Sequence, residues 1–440
     1  MAGQEADHIS RRAAILSFCL AAAQCSSYAR GQEREAQRST FLAGQPLFLQ
    51  TGPTADLYGA ADHYPVPGFI ESLRHGNPFS QHYRVGAFSH ADEVYATRRI
   101  RRADTASSFQ RRSASLIYRP EGRPSSVEDY LARNPITGLL IAQDDAILCE
   151  RYQYGRTDRD RMLGQSMTKS IVGLLTGTAA SVGAIRSVDD RAEAYMPALA
   201  GSEYGRTRLR DLLHMASGIS FGEEAENGRD LRRLWRYMVV GSWFGLGPSK
   251  STVASLIQFN QRIAPAGERF AYASIEPDVL GVVLRAALHK TLSEYLSEAI
   301  WRPIGTEADA TWALDAEGSE IGHFGFSAVL RDWARLGRLL AWDGMWNGRQ
   351  IISSQWMRDA TSVSATEAFL APGHATPWLG YGYLVWLLPG PRRQFAFLGQ
   401  NGQRLCVDPA AKLILVQTAL EDTPEFWRLW AALVAQFGQG

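Results

Sequence analysis

The chain has 440 residues, 45% of them hydrophobic and 21% charged, with 46 Lys+Arg against 45 Asp+Glu. These proportions belong to a globular chain and exclude disordered, collagen-like and coiled-coil proteins. A net charge of +1 leaves no electrostatic footprint for nucleic acid or an anionic membrane surface, so neither is expected as a partner.

The first segment reads as a processing signal. Ser10-Arg11-Arg12 precedes the apolar run 13–23, and small residues follow to Ala29. Paired arginines before a short apolar stretch suggest a twin-arginine signal over 1–30 and a periplasmic or secreted protein. A frayed helix in a cytoplasmic protein is the alternative. The run is too short to span a bilayer, and no stable membrane anchor is expected. Residues 31–125, rich in Gly, Pro, Ser and Arg, read as an irregular N-terminal extension whose arginines form a solvated face. The main folded domain is expected over 126–440.

Regular structure begins with strands over 137–142 and 146–152 around the turn Gln143-Asp144-Asp145, a β-hairpin. A helix follows in which Met167, Ile171, Leu174 and Leu175 recur at helical spacing. Helical segments continue at 209–215, 277–288, 292–301 and 330–342. Strands return at 382–388, 394–398, 405–407 and 413–418, and 425–437 closes the chain as an amphipathic helix. The expected fold is therefore α+β, three-layered. Its sheet is drawn from N- and C-terminal parts (136–155 and 380–420), with a helical lobe inserted over about 186–360. Of four cysteines, Cys149 and Cys406 lie inside this domain, where they are either two small buried hydrophobes or one bridge. With no CxxC, HxH or HExxH pattern, no metal or other cofactor is expected.

Three segments carry chemistry. In Ser166-Met-Thr-Lys169, residues i and i+3 share a helix face, so the Lys amine approaches the Ser hydroxyl. A Ser hydroxyl needs a neighbouring base to become a nucleophile. Burial and the helix N-terminus both disfavour an ammonium there. The plain alternative is an exposed helical Lys. In Gly267-Glu-Arg-Phe-Ala-Tyr272-Ala-Ser274, a Tyr in a turn before a helix can present its phenol to a cleft for proton exchange, or simply pack its ring. Gly399-Gln400-Asn401-Gly-Gln403, between two strands, can offer a backbone N–H to an oxyanion, or be an ordinary hairpin turn. Trp235, Tyr237, Trp243 and Phe244 form an aromatic stretch able to bind an acyl chain or simply to pack in the core, and His323 stands before Phe324-Gly-Phe as a further site candidate or a structural His.

Taken in order, Ser-x-x-Lys at 166, Tyr-x-Ser at 272 and the Gly-rich segment at 399 resemble the three motifs of the serine β-lactamase and penicillin-binding-protein superfamily. Leu209-Arg-Asp-Leu-Leu-His-Met-Ala-Ser-Gly218 resembles its "LLxMxSG" helix end, and Arg331-Asp-Trp-Ala-Arg-Leu-Gly-Arg-Leu-Leu340 its "RDLARFGxLL" helix. The chain looks most similar to the esterase and 6-aminohexanoate-dimer hydrolase branch related to class C β-lactamases, where Gly-x-x-Gly-Gln precedes Val407-Asp-Pro409. The resemblance runs from about Ile136 to Val434.

It implies Ser166 as the acylated nucleophile, Lys169 as its proton partner and Tyr272 as general acid and base. The N–H of Ser166 and one from Gln400-Asn401 would form the oxyanion hole, with Ser274 at the substrate. The chain departs from the family where Tyr-x-Asn becomes Tyr272-Ala-Ser274 and where the Lys-Thr-Gly box is missing. Recognition of a carboxylate-bearing lactam loses its usual partners, whereas simple acyl hydrolysis does not. Glu224-Ala-Glu-Asn227 imitates a class A "ExxN" box but precedes the Tyr motif. The implied activity is hydrolysis of a small-molecule ester or short linear amide. The alternatives are a β-lactamase or D-Ala-D-Ala carboxypeptidase, and a binding protein without turnover.

Overall fold

Strands buried on both faces need apolar residues at nearly every position, and that is how the sheet-forming segments read. In the computed structural model, which describes residues 45–62, 64–223, 228–240 and 251–438, nine strands form the main sheet. They are β1 (Pro46–Phe48), β2 (Gln110–Arg111), β3 (Ile136–Gln143), β4 (Ala146–Tyr152), β5 (Gly380–Tyr381), β6 (Trp386–Leu387), β7 (Phe395–Gly399), β8 (Gln403–Asp408) and β9 (Leu413–Ala419). Their spatial order is β1-β4-β3-β9-β8-β7-β6-β5, and β2 joins β4 beside β1. Both β1 and β2 run parallel to β4; every other pairing is antiparallel. The hairpin β3–β4 turns at Asp144, which takes φ 54°. The sheet does come from both ends of the chain, as expected, with β1 and β2 added from the N-terminal stretch.

Side-chain alternation divides the core in two. Leu140, Phe395, Phe397, Leu405, Val407, Ile414 and Val416 face the large helical body. On that face lie α2 (Met167–Ser181), α3 (Ile275–Leu288) and α4 (Leu330–Ala341). Leu139, Ile141, Cys149, Ala396, Cys406 and Leu415 face the other way. They are covered by α1 (Val127–Arg133) and by α5 (Glu425–Phe437), which buries Phe426, Leu429, Trp430 and Leu433. The result is a three-layer molecule.

The two cysteines share this second core but are free. Cys149 sits opposite Ile141, Ile141 opposite Leu415, and Leu415 opposite Cys406. Three strand spacings of about 4.8 Å each separate the thiols, beyond any disulfide's reach. Burial pushes both thiols up to about 12.

Two stretches differ from the sequence reading. The expected strand 382–388 is interrupted: 382–385 make a tight turn, with Leu384 at φ 56°. Leu384 is drawn into the helical body, where its N–H donates to the Leu213 carbonyl at 2.8 Å and its own carbonyl accepts from Ser170 Oγ. Gly382 is required at this turn because a Cβ would lie 1.9 Å from the Ala360 carbonyl oxygen. Over 31–125, the described part is not irregular throughout. Besides β1 and β2 it forms the helices Phe69–His75 and Arg84–Ser89, and the strand Thr97–Ile100 in a second, four-stranded sheet. Val85, Phe88, Val94 and Ile100 join the main core. Residues 1–30, Glu224-Ala-Glu-Asn227, Trp243 and Phe244 lie outside the described residues. Among the described residues no helix is long and apolar enough to cross a membrane.

The Leu209–Leu213 helix ends on His214, which is buried and tilted against Tyr383 with ring centroids 4.8 Å apart. Burial pushes its imidazole down to about 4, Glu367 opposing and Arg210 assisting. The unfolded chain therefore binds this proton first as pH falls. The contribution is complete above about pH 6.5 and lost towards pH 4, costing about 3 kcal/mol. His214→Phe is expected to flatten the fall in stability between those values, measured by urea unfolding at pH 7 and pH 5.

Candidate active site

Ser166 is placed by the turn that starts α2. Gln165 adopts φ 50°, and Ser166 follows as the residue capping the helix. Thr168 clamps this turn: its Oγ1 donates to the Gln165 carbonyl at 2.7 Å and accepts from the Phe326 N–H at 3.1 Å. Gly164 is fixed in turn by its N–H bond to the Phe326 carbonyl, 2.9 Å long. One helical turn on, Lys169 is 2% exposed and its Nζ lies 2.7 Å from Ser166 Oγ. The predicted pair is therefore in direct contact, inside the protein.

Tyr272 joins them from another segment. Lys169 Nζ stands 4.8 Å from the centroid of its ring. That ring stacks on Trp386 at 5.5 Å and meets Tyr381 edge-on at 6.3 Å, so β5 and β6 hold its plane. The neighbouring backbone is tied to the end of the Leu209–Gly218 motif: the Ala271 N–H donates to the Met215 carbonyl at 2.8 Å, and the Ala273 N–H to Met215 sulfur. Met215 itself takes φ 53°. Of the two adjacent phenols, Tyr381 is fully enclosed, and burial raises it well above its ordinary range. Tyr272 is only half-buried, the better placed of the two to exchange protons with a ligand. Beneath this turn Glu276 is buried, and burial drives its carboxyl well above the usual carboxylate range, against the Ser217 hydrogen bonds that lower it.

The Gly-rich turn is brought to the same place. At Gly399 a Cβ would fall 2.3 Å from the Gly164 carbonyl oxygen and 3.0 Å from the Gln165 Cβ. The end of β7 therefore packs directly on the turn that presents Ser166, and glycine permits the approach. Gln403 Nε2 then donates to the Gln400, Asn401 and Ala419 carbonyls, fixing the turn, in which Asn401 adopts φ 61°.

A cleft of about 650 Å³ opens over this junction. Six residues singled out from the sequence line it: Ser166, Trp235, Ser274, His323, Gln400 and Asn401. Lys169 and Tyr272, also singled out from the sequence, are not part of its lining. Trp235 meets His323 and Phe324 edge-on, at 5.7 and 5.1 Å. Ser274 is committed elsewhere, since its N–H and Oγ both donate to the Glu223 carboxylate.

Sequence reasoning missed Glu223 as a site residue, and it missed the wall built by Phe69, Phe79, Arg84 and Phe88. Nothing local marks those four; only the packing of the N-terminal stretch brings them in. Glu223 is one of several acids in the stretch 223–230, and nothing local sets it apart from Glu224 or Glu226. Among the described residues no group of three His, Cys, Asp or Glu is placed to hold a metal ion.

Comparison with known proteins bears on the family and the fold. The model of the beta-lactamase family matches residues 127–439. A 6-aminohexanoate-dimer hydrolase from Paenarthrobacter ureafaciens is 26% identical over 360 residues, spanning 79% of this chain and 88% of that protein. Among solved structures, a Bacillus anthracis protein provisionally named a 6-aminohexanoate-dimer hydrolase superposes with a TM-score of 0.71 at 23% identity, covering 82% of this chain and 95% of the other. A family VIII carboxylesterase does so at 0.52 and 17%, covering 68% and 92%.

Proposed function

This chain belongs to the beta-lactamase family of hydrolases, and on that premise we propose that it is a serine hydrolase working through an acyl-enzyme on esters or short linear amides. Carboxylesterase or 6-aminohexanoate-oligomer hydrolase chemistry is the reading. The observation that carries it is the 2.7 Å approach of a buried amine to a hydroxyl on the wall of the cleft. In this scheme Lys169 Nζ takes the Ser166 proton as Oγ attacks the carbonyl carbon. The N–H of Ser166 and one from the Gln400-Asn401 turn receive the developing oxyanion. Tyr272 passes a proton to the leaving group, then accepts one from the water that attacks the acyl carbon, while Lys169 returns its proton to the departing Ser166 Oγ.

Two features favour esters and plain amides over a carboxylate-bearing lactam. No lysine lies near 399–403, and Ser274 replaces the motif's Asn. Ser274 is also bonded to Glu223, so its hydroxyl is already engaged within the cleft wall. Export through the 1–30 signal belongs to the same proposal, and N-terminal sequencing of exported protein checks it.

Exposure to a p-nitrophenyl ester, nitrocefin and a fluorophosphonate tests the reading. Expected are ester turnover and a phosphonate adduct that peptide mass mapping puts on Ser166. Nitrocefin cleavage without ester turnover would make the protein a β-lactamase instead, and a stable adduct without turnover, or none, a binding protein.

A further inference from the structure

The lining of the cleft is of two kinds. Gln165, Ser166, Gln400 and Asn401 are polar and come from the two turns that meet at Gly399. Phe69, Phe79, Phe88, Trp235 and Phe324 make a second, aromatic part. Most of these rings form one packed body. The Phe79 ring lies 6.3 Å from Phe69 and 6.1 Å from Trp235, and Trp235 lies 5.1 Å from Phe324. Tyr95, buried, closes the circuit at 5.7 Å from Phe69, 6.4 Å from Phe79 and 5.5 Å from Phe324.

Phe69, Phe88 and Phe324 are buried, whereas Trp235 is half-buried and Phe79 is 44% exposed. One exposed aromatic ring is ordinary on a protein surface. Phe79 differs because it shares a cleft with Ser166 and its other contacts fix where it stands. Its N–H donates to Asn77 Oδ1 at 2.9 Å, and the Ser80 N–H donates to the Asn77 carbonyl at 2.8 Å. Five residues on, Arg84 Nη1 donates to the Leu420 carbonyl at 2.8 Å and pins the segment just beyond β9. Phe69, Phe79 and Phe88 all precede residue 127, where the family match begins, so this wall is supplied by the N-terminal stretch.

Apolar surface left in water on a cleft wall is covered favourably by an apolar ligand group, and a cleft of about 650 Å³ is of the size that encloses a whole drug-sized molecule. We propose that Phe79 and Trp235, backed by Phe69 and Phe324, form a subsite for an apolar group of the substrate. The preferred substrates are then esters or amides that carry a hexyl-sized chain or an aromatic ring on one side of the scissile bond, rather than acetyl-sized groups on both. This rests on the hydrolase reading above, which makes Ser166 the reacting group.

The test uses two series of esters, each kept below its aggregation concentration. One varies the acyl group on p-nitrophenol through acetyl, butyryl, hexanoyl and octanoyl. The other keeps the acetyl group and varies the alcohol through ethanol, butanol, hexanol and benzyl alcohol, followed by proton release. The quantity read is kcat/KM of the hexyl-sized member over that of the two-carbon member, each divided by its rate with hydroxide alone. This ratio cancels any general loss. A buried methylene is worth about twofold to fourfold, so the ratio should reach on the order of tenfold to a hundredfold in at least one series. Phe79→Ser should lower it about tenfold, and Phe79→Leu, which keeps an apolar contact, should retain most of it. Trp378→Ser alters a comparably exposed ring outside the cleft lining and should leave the ratio as it is. Flat series on both sides of the bond in the native chain overturn the proposal while leaving the hydrolase reading intact. So does a ratio that survives Phe79→Ser, or one that falls equally in Trp378→Ser. Absence of any Ser166-dependent ester turnover defeats the hydrolase reading instead, and this proposal with it.

Discussion

Ser166→Ala is expected to lower ester turnover by about 10⁴- to 10⁶-fold while leaving the unfolding midpoint nearly unchanged. The hydroxyl caps no helix N–H, so its loss costs little structure. It does remove the atom that stands 2.7 Å from Lys169 Nζ, and with it the covalent route. What survives is whatever the cleft contributes by holding substrate near water. Lys169→Met, similar in bulk, should retain the fold and lose about 10²- to 10⁴-fold, the range of a missing base. The check is steady-state and burst kinetics on a p-nitrophenyl ester, with active-site titration by the fluorophosphonate. Ser166→Ala protein that still releases nitrophenol within tenfold of the native rate would end the assignment of this hydroxyl as nucleophile.

The largest effect away from the cleft is expected at Glu150. Its side chain is completely buried on β4, yet it is fully engaged. Oε1 accepts from Arg331 Nε at 2.7 Å and from Tyr152 Oη at 2.8 Å, and Oε2 accepts from Arg111 Nη2 at 2.7 Å. One carboxylate thereby joins β2, the sheet and α4. Glu150→Leu leaves two guanidinium groups without that partner in a site largely shielded from water. Removing one member of such a buried network costs about 3–5 kcal/mol. The lower end is expected, because Arg331 keeps Asp158 at 3.0 Å. Urea unfolding of the variant measures it. A shift below about 1 kcal/mol would mean that solvent reaches the cluster and screens it.

The parts of this architecture legible in the sequence are those whose cause is local. The hairpin 136–152 and the strands after residue 394 declare themselves through unbroken apolar runs between turn residues. Helix 425–437 does so through its period, and Ser166 and Lys169 through an i, i+3 spacing that needs no tertiary knowledge. The illegible parts depend on contacts between distant segments. Leu384 leaves the expected strand because carbonyl and amide partners from Ser170 and Leu213 pull it inward. Phe69, Phe79 and Phe88 look like scattered aromatics in a Gly- and Pro-rich stretch until the main body gives them a surface to complete. Asp278 and His323, far apart in sequence, become a pair only when Gly322 lets two backbones touch.

The pairing of β3 with β9 sets Gln143 opposite Leu413 and Leu140 opposite Val416. During synthesis the hairpin and the Ser166 helix emerge well before the strand that completes the middle of the sheet, which follows the whole helical body. At translation speeds of about 5–20 residues per second, β3 waits on the order of tens of seconds with an open edge. Chains interrupted before residue 399 carry the hydroxyl and the amine without the turn seated on Gly164. Prematurely terminated products should therefore be chemically inert and prone to aggregate, a division of labour along the polypeptide that ties activity to completion.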